Sequence, residues 1–176
     1  MRQRWKGMDV RRERRGALLW LLFLAWLLSG CAATAPAVRQ LPEIGAELRC
    51  PVCGGHPAEQ PRRQCQIIMG DGRQIAFDSG KDLFSYLQLM DRYGYARQQS
   101  KGKDLSEVWV RDYNSGVWLD GRAAWYVAGS EVRGPGGKEI IPFTDRSGAE
   151  DFSRIHGGKV VDFTRVDAAV LNELKE

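Results

Sequence analysis

The chain has 176 residues, 43% of them hydrophobic and 27% charged, an ordinary globular composition that excludes a disordered or collagen-like chain. Its formal net charge of +4 would on its own suggest a polyanionic partner. That charge is local: residues 1–16 hold seven Lys or Arg against two acids, and the rest of the chain sets 19 bases against 20 acids, a net of −1. No nucleic acid is therefore expected as a partner.

In chain order, the first element is an export signal spanning residues 1–30. Its basic stretch ends at Arg15, and the apolar run Ala17–Leu28 follows. Twelve apolar residues suit a signal-peptide core and fall short of the roughly 20 that span a bilayer. Leu28-Ser29-Gly30-Cys31 resembles the bacterial lipobox, in which small residues expose the bond before a cysteine that carries lipid. Cys31 is thus the expected lipidation site and the first residue of the mature, acylated form. The arginine pairs Arg11-Arg12 and Arg14-Arg15 leave the export route open between Sec and twin-arginine. Residues 31–47 read as a lipidated tether reaching about 20–25 Å. Ala32 and Ala33 carry no acidic retention signal. The expected location is a membrane facing the periplasm, the outer membrane in preference to the inner.

A first unit is expected over residues 48–100. Gln66–Met69 and Gln74–Phe77 alternate as strands around the turn Gly70-Asp71-Gly72, which predicts a hairpin. Asp78 or Ser79 caps a helix whose apolar residues Leu83, Phe84, Leu87 and Met90 share one face. Arg92–Asp104 reads as a linker. A second unit is expected over 101–170, with strands at Val108–Val110, Val117–Leu119, Ala124–Ala128 and Glu139–Phe143. Thr144 or Asp145 then caps a helix to about Ile155, and Lys159–Phe163 is a closing strand. Residues 171–176 read as a tail. Gly72–Phe77 parallels Gly137–Phe143, and each is followed by a capped helix. The expected fold class is α+β, built from two related ββαβ-like units packed together, because neither alone buries much core.

The chemistry concentrates near the start of the first unit. Beyond Cys31, the cysteines are Cys50, Cys53 and Cys65, and one of the two histidines, His56, lies beside them. Cys50-Pro51-Val52-Cys53-Gly54 has the form of a single metal knuckle, a tight turn that aims two thiolates at one point. A disulfide or redox pair is the first reading. A thioredoxin-type pair opens a helix, whereas here Gly54-Gly55 and Pro57 follow, which argues against redox catalysis. The second reading is a Zn²⁺ site of Cys50, Cys53, His56 and Cys65, although no second knuckle accompanies it. The third is exchangeable Cu(I), which takes two or three soft ligands. Spacing does not separate copper from zinc. With so few histidines a general base is hard to place, and no enzymatic activity is expected. Met69, Met90 and the strand tryptophans read as core, and His156 reads as a helix-end residue.

Four stretches carry a family resemblance: Cys50–Gly54, Asp71–Phe84, Ala124–Pro135 and Lys138–Phe143. With the lipobox, they resemble the NosL family, lipoproteins that act as copper chaperones for nitrous oxide reductase. The resemblance implies a periplasmic Cu(I) carrier that partners nitrous oxide reductase or its assembly machinery, with Cys50 and Cys53 as ligands. The sequence departs from the family pattern at two points. Gly55 and Gly136 stand where the family has methionine. His56 and Cys65 are candidates to complete the site instead, a change that would tighten Cu(I) binding and admit Zn²⁺. The alternative is a NosL-like lipoprotein that keeps structural zinc or a disulfide at Cys50/Cys53 and acts as an interaction partner.

Overall fold

The computed structural model describes residues 41–92 and 105–175. The export signal, Cys31, most of the tether and the body of the linker lie outside them. The hairpin expected around Gly70-Asp71-Gly72 is present as β1 (Cys65–Met69) and β2 (Gln74–Phe77), with Ile67 opposite Ile75. The Asp71 carboxylate accepts from the Arg73 amide at 3.1 Å and stiffens the turn. Helix α1 (Gly80–Arg92) follows, started by Ser79, whose hydroxyl accepts from the Asp82 amide at 3.1 Å. The chain returns as β3 (Leu105–Arg111) and β4 (Trp118–Asp120), giving an antiparallel sheet in the order β2-β1-β3-β4.

Strands β5 (Trp125–Gly134), β6 (Gly137–Phe143) and β7 (Lys159–Asp162) form a second antiparallel sheet in the order β6-β5-β7. Between β6 and β7 runs helix α2 (Arg146–His156), capped by Asp145 through the Gly148 amide at 2.8 Å. Successive side chains of β5 point to opposite faces. Val127 therefore joins Ile141, Phe143, Ala149 and Phe152 under α2. Tyr126 and Ala128 join the larger core of Phe77, Leu83, Phe84, Val108 and Val110. Burying each aromatic of that core is worth about 1.5–3 kcal/mol.

The expected repeat is visible in the topology. The runs β1-β2-α1-β3 and β5-β6-α2-β7 each place their first strand between the other two. Matching ring pairs pin each helix to its second strand: Phe77 with Tyr86 at 5.3 Å, and Phe143 with Phe152 at 5.1 Å.

The boundary between the units differs from the one expected near residue 100. Strand β3 pairs with β1, with Val108 opposite Ile67, so it closes the first sheet rather than opening the second. Its Val108 and Val110 are fully buried against that sheet's core face. The expected tail is also corrected. Helix α3 (Ala168–Glu173) is capped by Asp167 and buries Val170 and Leu171 in the larger core. Among the described residues no helix is long and apolar enough to cross a membrane.

Candidate metal centre

The segment Arg49–Gly55 folds into a knuckle closed by its own backbone. The Cys50 amide donates to the Gly55 carbonyl at 2.9 Å, and the Gly54 amide donates back to the Cys50 carbonyl at 2.9 Å. The Arg49 guanidinium holds the Gly54 carbonyl at 3.3 Å. The Gly55 amide donates to Cys53 Sγ at 3.4 Å, which turns that sulfur inward. Cys50 is buried at the base of the knuckle, and Cys53 sits on its exposed lip.

Two carboxylates face the knuckle. Asp78 directly follows β2 and Asp82 lies in the first turn of α1, four residues on, so both present to one side. Cys53 Sγ donates to both oxygens of Asp78 at 3.3 Å, and Cys50 Sγ donates to Asp82 Oδ2 at 3.4 Å. Single ligand atoms from Cys50, Cys53, Asp78 and Asp82 all lie within 4.8 Å of one another. Both aspartates are buried, and the helix N-terminus beside them favours negative charge. The absence of a side chain at Gly55 leaves room for this packing. A Cβ there would lie 2.3 Å from Asp78 Oδ2 and 3.4 Å from Cys53 Sγ.

Burial and crowding make Cys50, Cys53 and Asp78 harder to deprotonate. Desolvation pushes the Cys50 thiol up, with the Asp82 charge adding to it. Desolvation and the neighbouring Asp82 carboxylate push Cys53 up as well, because its sulfur faces inward although the residue is exposed. Burial and the neighbouring Asp82 also raise Asp78. A cation arriving here would displace thiol protons and relieve that crowding, since thiolate and carboxylate are the metal-binding forms.

Of the four residues singled out from the sequence, the structure brings Cys50 and Cys53 together and places the other two outside the group. Cys65 points from β1 into the core at 1% exposure, its thiol directed to the Arg63 carbonyl at 3.5 Å. Burial pushes that thiol up strongly, and Glu139, Asp78, Asp82 and Cys50 add to the effect. His56 precedes a 3-10 turn at Pro57–Glu59, and its side chain makes no capping hydrogen bond there. Asp78 and Asp82 are the members that sequence reasoning missed. The signal was available as two acids four residues apart across a helix start, but acids there are ordinary caps. Met69 is buried in the core, Met90 packs against it, and His156 stacks on Phe152 at 4.6 Å at the end of α2.

The family model described as NosL matches residues 41–171. The copper-binding lipoprotein NosL of Stutzerimonas stutzeri is 27% identical over 170 residues, covering 93% of this chain and 86% of its own length. The copper-binding lipoprotein NosL of Achromobacter cycloclastes is 28% identical over 127 residues, covering 63% of this chain and 66% of its own length. The crystal structure of the copper chaperone NosL from Shewanella denitrificans superposes with a TM-score of 0.60 at 27% identity. That match covers 74% of this chain and 97% of the other.

Proposed function

The chain belongs to the NosL family, and on that premise we propose that it is an acylated lipoprotein, anchored through Cys31 and facing the periplasm, that binds Cu(I). Its role is to carry the ion to nitrous oxide reductase or its assembly machinery, and it performs no catalysis. The observation that supports this reading is the convergence of two thiols and two carboxylates within 4.8 Å. Thiolates supply the soft ligands that Cu(I) prefers, and two of them suffice. The placement of the sulfurs suits a carrier. Cys50 at the base keeps the ion, while Cys53 on the lip is the ligand an incoming donor or acceptor can replace first. The carboxylates of Asp78 and Asp82 accept the thiol hydrogen bonds in the empty site and add negative charge around the ion in the loaded one.

A second reading rests on those same carboxylates. Two sulfurs and two oxygens also make a tetrahedral set that Zn²⁺ accepts. The test is an anaerobic titration of the purified chain with Cu(I) against a competing chelator, followed by the same titration with Zn²⁺. The copper reading predicts one saturable Cu(I) per chain and loss of tight binding in Cys53→Ala. Absence of saturable binding, or binding untouched in Cys53→Ala, would sink it. Zn²⁺ retained through mild chelation, with Cu(I) failing to displace it, favours the second reading. For the anchor, Cys31→Ser should move the protein from the membrane to the soluble fraction.

A further inference from the structure

The second unit contains a copy of the knuckle, and the correspondence extends to individual hydrogen bonds. In Arg111–Val117 the Asp112 amide donates to the Val117 carbonyl at 2.9 Å and the Gly116 amide donates to the Asp112 carbonyl at 2.9 Å. These are the two bonds that close Cys50–Gly55. The Val117 amide donates to Ser115 Oγ at 3.4 Å, as the Gly55 amide donates to Cys53 Sγ. The Arg111 guanidinium holds the Gly116 carbonyl at 2.8 Å, as Arg49 holds that of Gly54. Gly54 and Gly116 both adopt positive φ, 78° and 71°, which favours glycine at each. Arg49, Cys50, Cys53 and Gly54 thus correspond to Arg111, Asp112, Ser115 and Gly116.

Each knuckle also faces the start of its own unit's helix. Phe77 and Phe143 end the equivalent strands. Asp78 and Thr144 follow them, and Asp82 and Gly148 each donate their amide to the helix cap. The fastening is what differs. In the second unit, the Asp112 carboxylate accepts from the Ser115 amide and hydroxyl, both at 2.7 Å, and from the Thr144 amide at 2.8 Å. It is a charged, buried clip between knuckle and helix. In the first unit, the hydrogen bonds that cross the same gap among the described residues are those of the thiols, at 3.3–3.4 Å, and thiols are weak donors.

We infer that a metal ion closes the first knuckle onto α1 as Asp112 closes the second onto α2, so that the ion is at once cargo and clip. This rests on the metal-binding reading above. Its consequence is that loading and release change the firmness of the loop that carries Cys53 and the exposed Val52, and a partner docking there meets a different surface on the loaded and empty chain. On loading, each thiol that ligates the ion gives its proton to solvent, so charge and atoms balance without a redox step.

Amide hydrogen exchange on the full chain, with and without one equivalent of Cu(I) under anaerobic conditions, tests this. Loading should slow exchange at the Cys50, Gly54 and Gly55 amides about tenfold or more, while the Asp112, Gly116 and Val117 amides, already slow, stay unchanged. First-knuckle amides that exchange as slowly as their second-knuckle counterparts in the empty chain would overturn the inference. So would an unchanged first knuckle in a chain shown by chelator competition to hold Cu(I), and that result would leave the copper reading standing. A second variant tests the equivalence itself. D112C/S115C/T144D/G148D should bind a second Cu(I), and a folded variant that still binds one would contradict it. If that variant fails to fold, Asp112→Asn serves: its 112–117 amides should exchange as fast as the empty first knuckle, and unchanged exchange would overturn the inference.

Discussion

At the scale of single residues, the site depends on where two small side chains are absent. Gly55 leaves the space that the Asp78 carboxylate fills, and Gly136 lies against Lys81, whose ammonium donates to the Gly136 carbonyl. These are the positions where the NosL resemblance expects methionine. In this chain the neighbouring groups come from the start of α1 and are charged. Asp78→Asn keeps the shape and removes the charge. It should weaken Cu(I) binding about 10–100-fold, read by chelator competition, and an unchanged affinity would remove Asp78 from the site. Gly55→Met should do more damage, because its Cβ would have to displace the Asp78 carboxylate. Loss of Cu(I) affinity in that variant, with the far-UV spectrum retained, is the expected result.

At the scale of elements, the start of α1 is the hub. One helix turn supplies the cap Ser79 and the carboxylate Asp82, and the preceding residue supplies Asp78. Ser79→Ala should cost about 1 kcal/mol of stability in urea melts, and it should also weaken metal binding by freeing Asp82. A stability loss with intact binding would show that the cap does not position the carboxylate. The hairpin, the two long helices and their caps were legible in the sequence because turn glycines, period and capping residues agreed. Asp78 and Asp82 were not legible as members of the group, since an acid at a helix start serves equally as a cap or dipole partner. Cys50 and Cys53 stood out by their spacing. Cys65 drew notice by residue type alone, and the alternation of β1 turns it into the core. Helix α3 has six residues, too few for a periodic signal, and its one cue was the cap at Asp167. Leu171→Ala should cost about 2–5 kcal/mol, measured by the same melts. A cost near zero would deny α3 its place in the core.

At the scale of the whole molecule, two ββαβ repeats with matching knuckles share a larger core, and only the first repeat gathers soft ligands. β3 could not be assigned to its sheet from sequence, because pairing across an intervening helix leaves no local mark. Among the described residues, Glu139 is a buried carboxyl that costs stability when ionised. Its Oε1 lacks a hydrogen-bond partner, and desolvation raises the carboxyl to about 7 against Lys81 and Arg63, which act to lower it. The folded state therefore holds a proton that the unfolded chain gives up near 4.5. Stability should fall as pH rises from about 4.5 to 7 and level off above, by on the order of 3 kcal/mol for this group. Glu139→Gln should flatten that fall and melt later than the parent at pH 8, and a parallel pH profile would refute the assignment.

The proposed role requires that Cu(I) is held by the two knuckle thiolates at the start of α1. X-ray absorption at the copper edge of the singly loaded chain tests it most directly. The account predicts two sulfur neighbours per copper, with one lost in Cys53→Ala and both lost when Cys50 is also replaced. A copper environment without sulfur, or one unaltered by those substitutions, would contradict it.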